Sequence, residues 1–107
     1  MSVYLDHIAV NTAQFEKTLL FYESVFGMTI SRTAGDKPHR KSWLQQGIQI
    51  NEVCTTVQEG CLYDHIALRV DDLSDTLKNA QLFGCKQIEA KPNWIITPDA
   101  IIIELIG

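Results

Sequence analysis

Cysteine is scarce in this sequence. The three that occur, Cys54, Cys61 and Cys85, are odd in number and show no CxxC spacing. That excludes a disulfide framework or a zinc knuckle and fits a reducing, cytoplasmic setting. They read most simply as small buried or incidental thiols. Long apolar runs are missing too. Nothing approaches the roughly 18 consecutive apolar residues of a membrane span, so no membrane partner is expected. There is no basic surplus: Lys and Arg number 9 against 13 Asp and Glu, a net charge of −4, which argues against a nucleic-acid partner. The first residues lack a charged segment followed by an apolar one, so no secretory signal is expected. What is left, 107 residues with 46% hydrophobic and 21% charged content, suits one soluble globular domain spanning residues 1–107.

Against these absences stands a repetition. The segment Leu5–Val10 reads LDHIAV, and Tyr63–Leu68 reads YDHIAL, 58 positions later. The agreement continues beyond the phrase: Val25-Phe26-Gly27 closes the next segment in one copy and Leu82-Phe83-Gly84 in the other. The distance from histidine to glycine differs by a single residue between the copies. The chain is therefore read as two modules, 1–56 and 61–107, joined by a short linker over Thr55–Cys61.

Each phrase alternates with the period of a strand, so that Leu5, His7 and Ala9 share one face while Ile8 and Val10 share the other. A helix follows in each copy. Phe15, Leu19, Tyr22 and Phe26 lie at helical spacing, as do Leu73, Leu77, Ala80 and Phe83. Thr12 and Asp71 or Asp72 are the expected N-caps, and Gly27 and Gly84 the expected left-handed C-caps. Short β-like runs come next: Met28–Arg32, Ser42–Gln46 and Ile48–Cys54 in module one, and Lys86–Glu89, Trp94–Thr97 and Ala100–Ile106 in module two. Turn signals separate them at Gly35-Asp36-Lys37-Pro38, Gln46-Gly47, Lys91-Pro92-Asn93 and Pro98-Asp99. Both halves read strand–helix–strand–strand–strand, an α+β class.

Polar residues on otherwise apolar strands carry the functional information. In the last strand of module one, Glu52 shares a face with Ile48, Ile50 and Cys54; in module two, Glu104 shares a face with Ile102 and Ile106. A carboxylate among isoleucines is costly to bury without a partner. Each half thus offers a histidine on its first strand and a glutamate on its last, in the order His7, Glu52, His65, Glu104. Taken singly, each reads as an ordinary strand residue. Four at equivalent places in two copies read as a site. Two imidazoles and two carboxylates suit one borderline divalent cation, Ni²⁺, Co²⁺, Zn²⁺, Mn²⁺ or Fe²⁺. Such an ion can polarise a carbonyl, and a glutamate can supply the base. Trp43 and Trp94 occupy equivalent third strands, where they either line a substrate pocket or fill the core. Arg32, Lys37, Arg40 and Lys41 cluster around the first hairpin, with His39 among them, and read as a solvated basic hairpin or an attractor for an anionic substrate.

The duplicated pattern, with DHIAV and DHIAL and the closing INEV and IIEL, resembles the glyoxalase/bleomycin-resistance/extradiol-dioxygenase superfamily, also called vicinal oxygen chelate, over essentially the whole chain. The resemblance implies two tandem βαβββ modules forming a U-shaped mixed sheet with helices on the outer face and a site in the trough. It places His7, Glu52, His65 and Glu104 at the four metal-ligand positions, a set similar to that of the bacterial glyoxalase I branch. By the same resemblance Glu104 is the first candidate for catalytic base and Glu52 the second. Where that branch carries an arginine four residues after its first ligand, this chain has Asn11; the equivalent place in module two is Arg69, a candidate substrate contact. The turn before the final strand, Pro98-Asp99-Ala100, departs from the Asp-Pro-x-Gly-Asn common in the family. The resemblance further implies a small-molecule substrate and a homodimer. Three functions follow from it: a metal-dependent lyase or isomerase acting on an oxygen-chelating carbonyl compound, a metal-free drug-binding protein of bleomycin-resistance type, or an extradiol-type dioxygenase.

Overall fold

The computed structural model describes residues 2–54, 63–98 and 100–107. The Thr55–Cys61 linker, with Cys61 in it, and Asp99 of the last turn lie outside the described residues. Strand β1 spans Val3–Thr12, helix α1 Phe15–Phe26, and strands β2, β3 and β4 Ile30–Ala34, Lys41–Leu44 and Ile48–Glu52. The second copy follows the same order: β5 Tyr63–Val70, α2 Leu73–Leu82, β6 Lys86–Ile88, β7 Lys91–Ile96 and β8 Ile102–Ile106. The fold is therefore mixed α+β, with the βαβββ order occurring twice. No helix among the described residues is long and apolar enough to cross a membrane.

The chain divides into two compact units, Ile8–Asp64 and the combination of Met1–His7 with His65–Gly107. The breaks therefore fall inside β1 and inside β5, not at the linker between the sequence modules. In the Ile8–Asp64 unit the strand order is β2-β3-β4-β1. Strand β1 runs parallel to β4, with Ala9 opposite Gln49 and Thr12 opposite Glu52, while β3 is antiparallel to both β2 and β4. Phe15 is buried at the start of α1, and Ile50 is fully buried in β4. In the other unit the order is β1-β5-β8-β7-β6, with β5 parallel to β8 and β7 antiparallel to both β6 and β8. Its core is Val70, Ile95 and Leu105, against which Leu73, Leu77 and Ala80 of α2 pack together with Leu68, Cys85 and Ile103. Leu73, Leu77 and Ala80 of the expected helical stripe thus face the sheet, whereas Phe83, the fourth, is the C-cap of α2 and is 82% exposed.

Local signals account for most boundaries. Asp72 caps α2, its Oδ1 accepting from the Asp75 N–H at 2.9 Å. Gly27 closes α1 in the left-handed conformation at φ 66°, and Gly27 N–H reaches Glu23 O. Thr12 is not the N-cap of α1. That position is Gln14, and Thr12 Oγ1 instead accepts from the Gln14 N–H at 3.0 Å and pairs with Thr18 Oγ1 at 2.9 Å. The expected turn at Lys91-Pro92-Asn93 is strand: the hairpin turns two residues earlier, at Glu89-Ala90, because Ile88 pairs with Lys91. Pro92 is tolerated there near the strand's beginning, where no ladder hydrogen bond is needed from its nitrogen. Gly35 is required by its surroundings as well as by its φ of +81°, since a Cβ there would stand 2.6 Å from the His39 carbonyl oxygen.

Leu105 is 2% exposed and Leu82 is 78% exposed. Leu105→Ala is therefore expected to lower unfolding free energy by about 2–5 kcal/mol, and Leu82→Ala by less than about 0.5 kcal/mol. Equilibrium urea denaturation of both variants measures the contrast.

Candidate metal centre

Three of the residues singled out in the sequence converge within the unit that holds the chain's beginning and its second half. His7 lies on β1, His65 on β5 and Glu104 on β8. The β5–β8 register sets Glu104 opposite Ala67, and strand alternation gives Ala67 the same face as His65. His65 Nε2 stands 3.1 Å from Glu104 Oε1 and 3.3 Å from His7 Nε2, and the His7–Glu104 separation is 3.8 Å. Both histidines are buried, at 9% and 4% exposure, while Glu104 is half-buried.

The tautomer of His7 follows from its neighbour. Its Nδ1 lies 2.7 Å from Asp6 Oδ2, so Nδ1–H donates to the carboxylate and Nε2 presents a lone pair. That lone pair faces a second imidazole nitrogen and a carboxylate oxygen. With His65 Nε2 protonated, it donates to Glu104 Oε1; with Nε2 unprotonated, three acceptor atoms this close repel one another unless a cation lies among them. Bonds of about 2.1 Å to one ion put ligand atoms about 3.0 Å apart at a right angle and about 3.4 Å apart at the tetrahedral angle. Two of the three separations, 3.1 and 3.3 Å, fall between those values and the third, 3.8 Å, corresponds to a wider angle of about 130°, so the donor set fits a divalent ion. Asp6 then holds the first histidine in orientation, as carboxylates behind metal-bound histidines commonly do. Arg69 Nη2 reaches the other oxygen of Asp6 at 3.5 Å, placing Arg69 behind the centre rather than among the ligands.

Trp94 belongs to the same surroundings. It is opposite Glu104 in the β7–β8 register, and its ring centroid lies 4.4 Å from that of His65. Lys91 Nζ covers the indole at 4.3 Å from its centroid.

Glu52 is not in this group; among the described residues the metal-competent cluster consists of His7, His65 and Glu104. Glu52 pairs with Thr12, so it shares the face of Ile8 and Val10. Both of its oxygens are taken by Arg40, with Nε to Oε1 and Nη2 to Oε2 at 2.8 Å each, and the Arg40 backbone N–H reaches Oε1 at 3.1 Å. The side-chain hydrogen bonds from Arg40 come first in holding the Glu52 carboxyl down to about 2. Arg40 is raised above its ordinary value, chiefly by Glu52, and Nη1 also holds Glu16 of α1 at 3.1 Å. The basic hairpin is thus partly neutralised, and Arg40 fastens it to α1 and β4. The position on β4 that corresponds to Glu104 is Gln49, since Gln49 is opposite Ala9 as Glu104 is opposite Ala67. Gln49 is 5% exposed. Trp43 lies opposite Gln49, with the Arg32 guanidinium 4.0 Å over its ring.

Sequence reading passed over Asp6 and Gln49 as site residues and took Arg40 only as one of the basic residues around the first hairpin. Asp6 was visible in the doubled DH pair. Gln49 becomes visible only by counting back from Glu52 with the register in hand.

The βαβββ order occurs twice, and two strand histidines and a strand glutamate converge on one point that could hold a metal ion. The family model described as Glyoxalase/Bleomycin resistance protein/Dioxygenase superfamily matches residues 4–57, and the chain belongs to that superfamily. No curated protein matches it significantly. Among solved structures, a hypothetical protein from Bacillus halodurans C-125 superposes with a TM-score of 0.77 at 16% identity, covering 98% of this chain and 94% of that one. Methylmalonyl-CoA epimerase from Mycobacterium tuberculosis gives 0.71 at 19% identity, covering 95% and 85%. A halotolerant catechol dioxygenase gives 0.70 at 16% identity, covering 96% of this chain and 40% of that one. These likenesses establish the fold.

The Arg40–Glu52 pair carries a pH signature. A carboxyl lowered from 4.5 to about 2 in the folded protein stabilises it above pH 4.5, and that contribution is lost as pH falls towards 2. The difference in Tm between wild type and Arg40→Met is expected to be constant above pH 5 and to shrink steadily between pH 4.5 and 2. A Tm gap that stays flat across that range contradicts the assignment.

Proposed function

We propose that the protein is a divalent-metal-dependent lyase or isomerase acting on a small carbonyl compound that chelates through oxygen. The observation that carries this reading is the convergence of His7 Nε2, His65 Nε2 and Glu104 Oε1 within 4.8 Å of one another, with Asp6 setting the His7 tautomer. A drug-binding role without metal gives that convergence no part to play.

The ion, when bound, would supply Lewis acidity at the substrate oxygens and stabilise an enediolate or enolate. The chain's own groups do the rest. His7 and His65 bind through Nε2, and Asp6 keeps the first ring oriented. Glu104 directs Oε1 at the histidines, and Oε2 makes no hydrogen bond to another described residue, which leaves it to take a proton from the carbon beside the carbonyl. Glu52 is poorly matched to that work, because Arg40 holds it ionised down to about pH 2 and occupies both oxygens. Proton abstraction beside a carbonyl also agrees with the methylmalonyl-CoA epimerases among the structural neighbours.

A second reading has one observation in its favour. Two histidines and one carboxylate are the ligand set of non-haem Fe²⁺ oxygenases, and a catechol dioxygenase shares the fold. Oxygen consumption on adding catechol to Fe²⁺-loaded protein would select it over the lyase reading.

Protein purified without chelator is expected to hold close to one equivalent of Ni²⁺, Co²⁺, Zn²⁺, Mn²⁺ or Fe²⁺ per chain by elemental analysis. In a Trp43→Phe background, Co²⁺ should quench the fluorescence of Trp94, which stacks on a ligand ring. His65→Ala should lose both the metal and the quenching, and Glu104→Gln should weaken affinity about 10–100-fold or more. Saturating metal that neither quenches Trp94 nor raises Tm would overturn the proposal and favour the drug-binding alternative.

A further inference from the structure

The hairpin between β2 and β3 is joined to α1 by a carboxylate held between two cations. Glu16, in the first turn of α1, accepts from Arg40 Nη1 at 3.1 Å, and Lys37 Nζ stands 3.6 Å from the same oxygen, Oε1. The two sides of Arg40 are unequal. Towards Glu52 it is closed: Nε, Nη2 and the backbone N–H all go to that carboxylate, and the guanidinium lies 4.5 Å over the Phe15 ring. The Arg40 and Glu52 side chains are 19% and 11% exposed. Towards Glu16 it is open, with the Glu16 and Lys37 side chains 72% and 71% exposed. Exposed ion pairs contribute little, because water and salt screen them and long side chains lose freedom in forming them. Glu52 therefore fixes the guanidinium, while Glu16 is a replaceable occupant of its outward donor. The Glu16 carboxyl is held below its ordinary value, first by the hydrogen bond from Arg40 and next by the charge of Lys37, so a negative charge is favoured at this place.

A cleft of about 370 Å³ opens here between the hairpin and the beginning of α1, with Lys17, Lys37 and Arg40 in its walls beside Glu16 and Glu52. We propose that this cleft binds a phosphate group, free or carried on a small ligand, which displaces Glu16 and takes its place between Arg40 Nη1 and Lys37 Nζ, with Lys17 as a third cation. A phosphate suits the place better than a carboxylate does. Its terminal oxygens can accept from a directional guanidinium and from two ammonium groups at once, and it carries up to two charges where Glu16 supplies one. Glu16 is then the chain's own competitor, keeping the donors occupied until a more highly charged oxyanion arrives. The basic residues around the hairpin thereby divide in role: Arg32 covers the Trp43 ring, and Lys41, opposite Asn51, stands outside the cleft. The proposal is independent of the metal reading, and its test uses no metal.

The test is a titration of the full-length ¹⁵N-labelled protein with inorganic phosphate and, separately, with phenyl phosphate, at an ionic strength held constant with sodium chloride. Phosphate should shift the Arg40 Nε–H signal and the Glu16 and Lys37 backbone amide signals saturably, and the tighter of the two probes tells a free anion from an ester. Glu16→Gln should bind phosphate about fivefold more tightly than wild type, the effect of removing one competing unit charge at about 4 Å in water. Lys37→Met should weaken binding by a similar factor. Lys41→Met, which removes a charge from the neighbouring strand but none from the cleft, should leave affinity nearly unchanged. A gain in affinity on removing Glu16 is something a merely structural ion pair would not produce. Shifts that fail to saturate, a Glu16→Gln affinity no higher than that of wild type, or a loss in Lys41→Met equal to that in Lys37→Met overturns the proposal.

Discussion

Two parallel strand pairings govern what this molecule can do, because side chains alternate along a strand and a pairing register decides which of them share a face. Opposite Ala67 the β5–β8 ladder places Glu104; opposite Ala9 the β1–β4 ladder places Gln49. A shift of one residue in the first would turn Glu104 away from His65 and bring Leu105 to it, dissolving both the core and the His7–His65–Glu104 cluster. The hydrophobic core of Val70, Ile95 and Leu105 therefore fixes the cluster indirectly: burying Leu105 against α2 keeps Glu104 facing the other way.

The two modules have used the same architecture differently. In module two the carboxylate on the closing strand faces the histidines. In module one the carboxylate, Glu52, is on the opposite face, where Arg40 ties it to the hairpin and, through Glu16, to α1. Its counterpart facing the other way is a neutral amide, Gln49. A duplicated fold has thus diverged into an ionic clasp in one half and a cluster of metal-competent acceptors in the other.

The fold was largely legible in the residues. The DHIA repeat, the helical spacing in both copies and the glycine after each helix led to the order of strands and helices that is present, with boundaries displaced by a few residues. Pro92 misled, because proline next to lysine and asparagine reads as a turn, whereas the register needs no hydrogen bond from its nitrogen. Thr12 misled similarly: its hydroxyl serves the start of α1 from two residues before the true cap. His7, His65 and Glu104 were legible through symmetry. The pairing of Glu52 with Arg40 was not, since nothing in the spacing of residues 40 and 52 shows that a hairpin returns one beside the other.

By itself the sequence determined the period of each strand, the apolar stripe of each helix, the duplication and the residue types available for chemistry. These are local properties, set by propensity and by spacing along one segment. Tertiary structure alone decided that Asp6 orients His7, that Glu104 rather than Glu52 joins the histidines, and that an amide faces the way Glu104 does on the corresponding strand. Each of those depends on which residues of two distant strands stand opposite one another, and that choice is made by packing the helices onto the sheet, not by any one strand's own pattern.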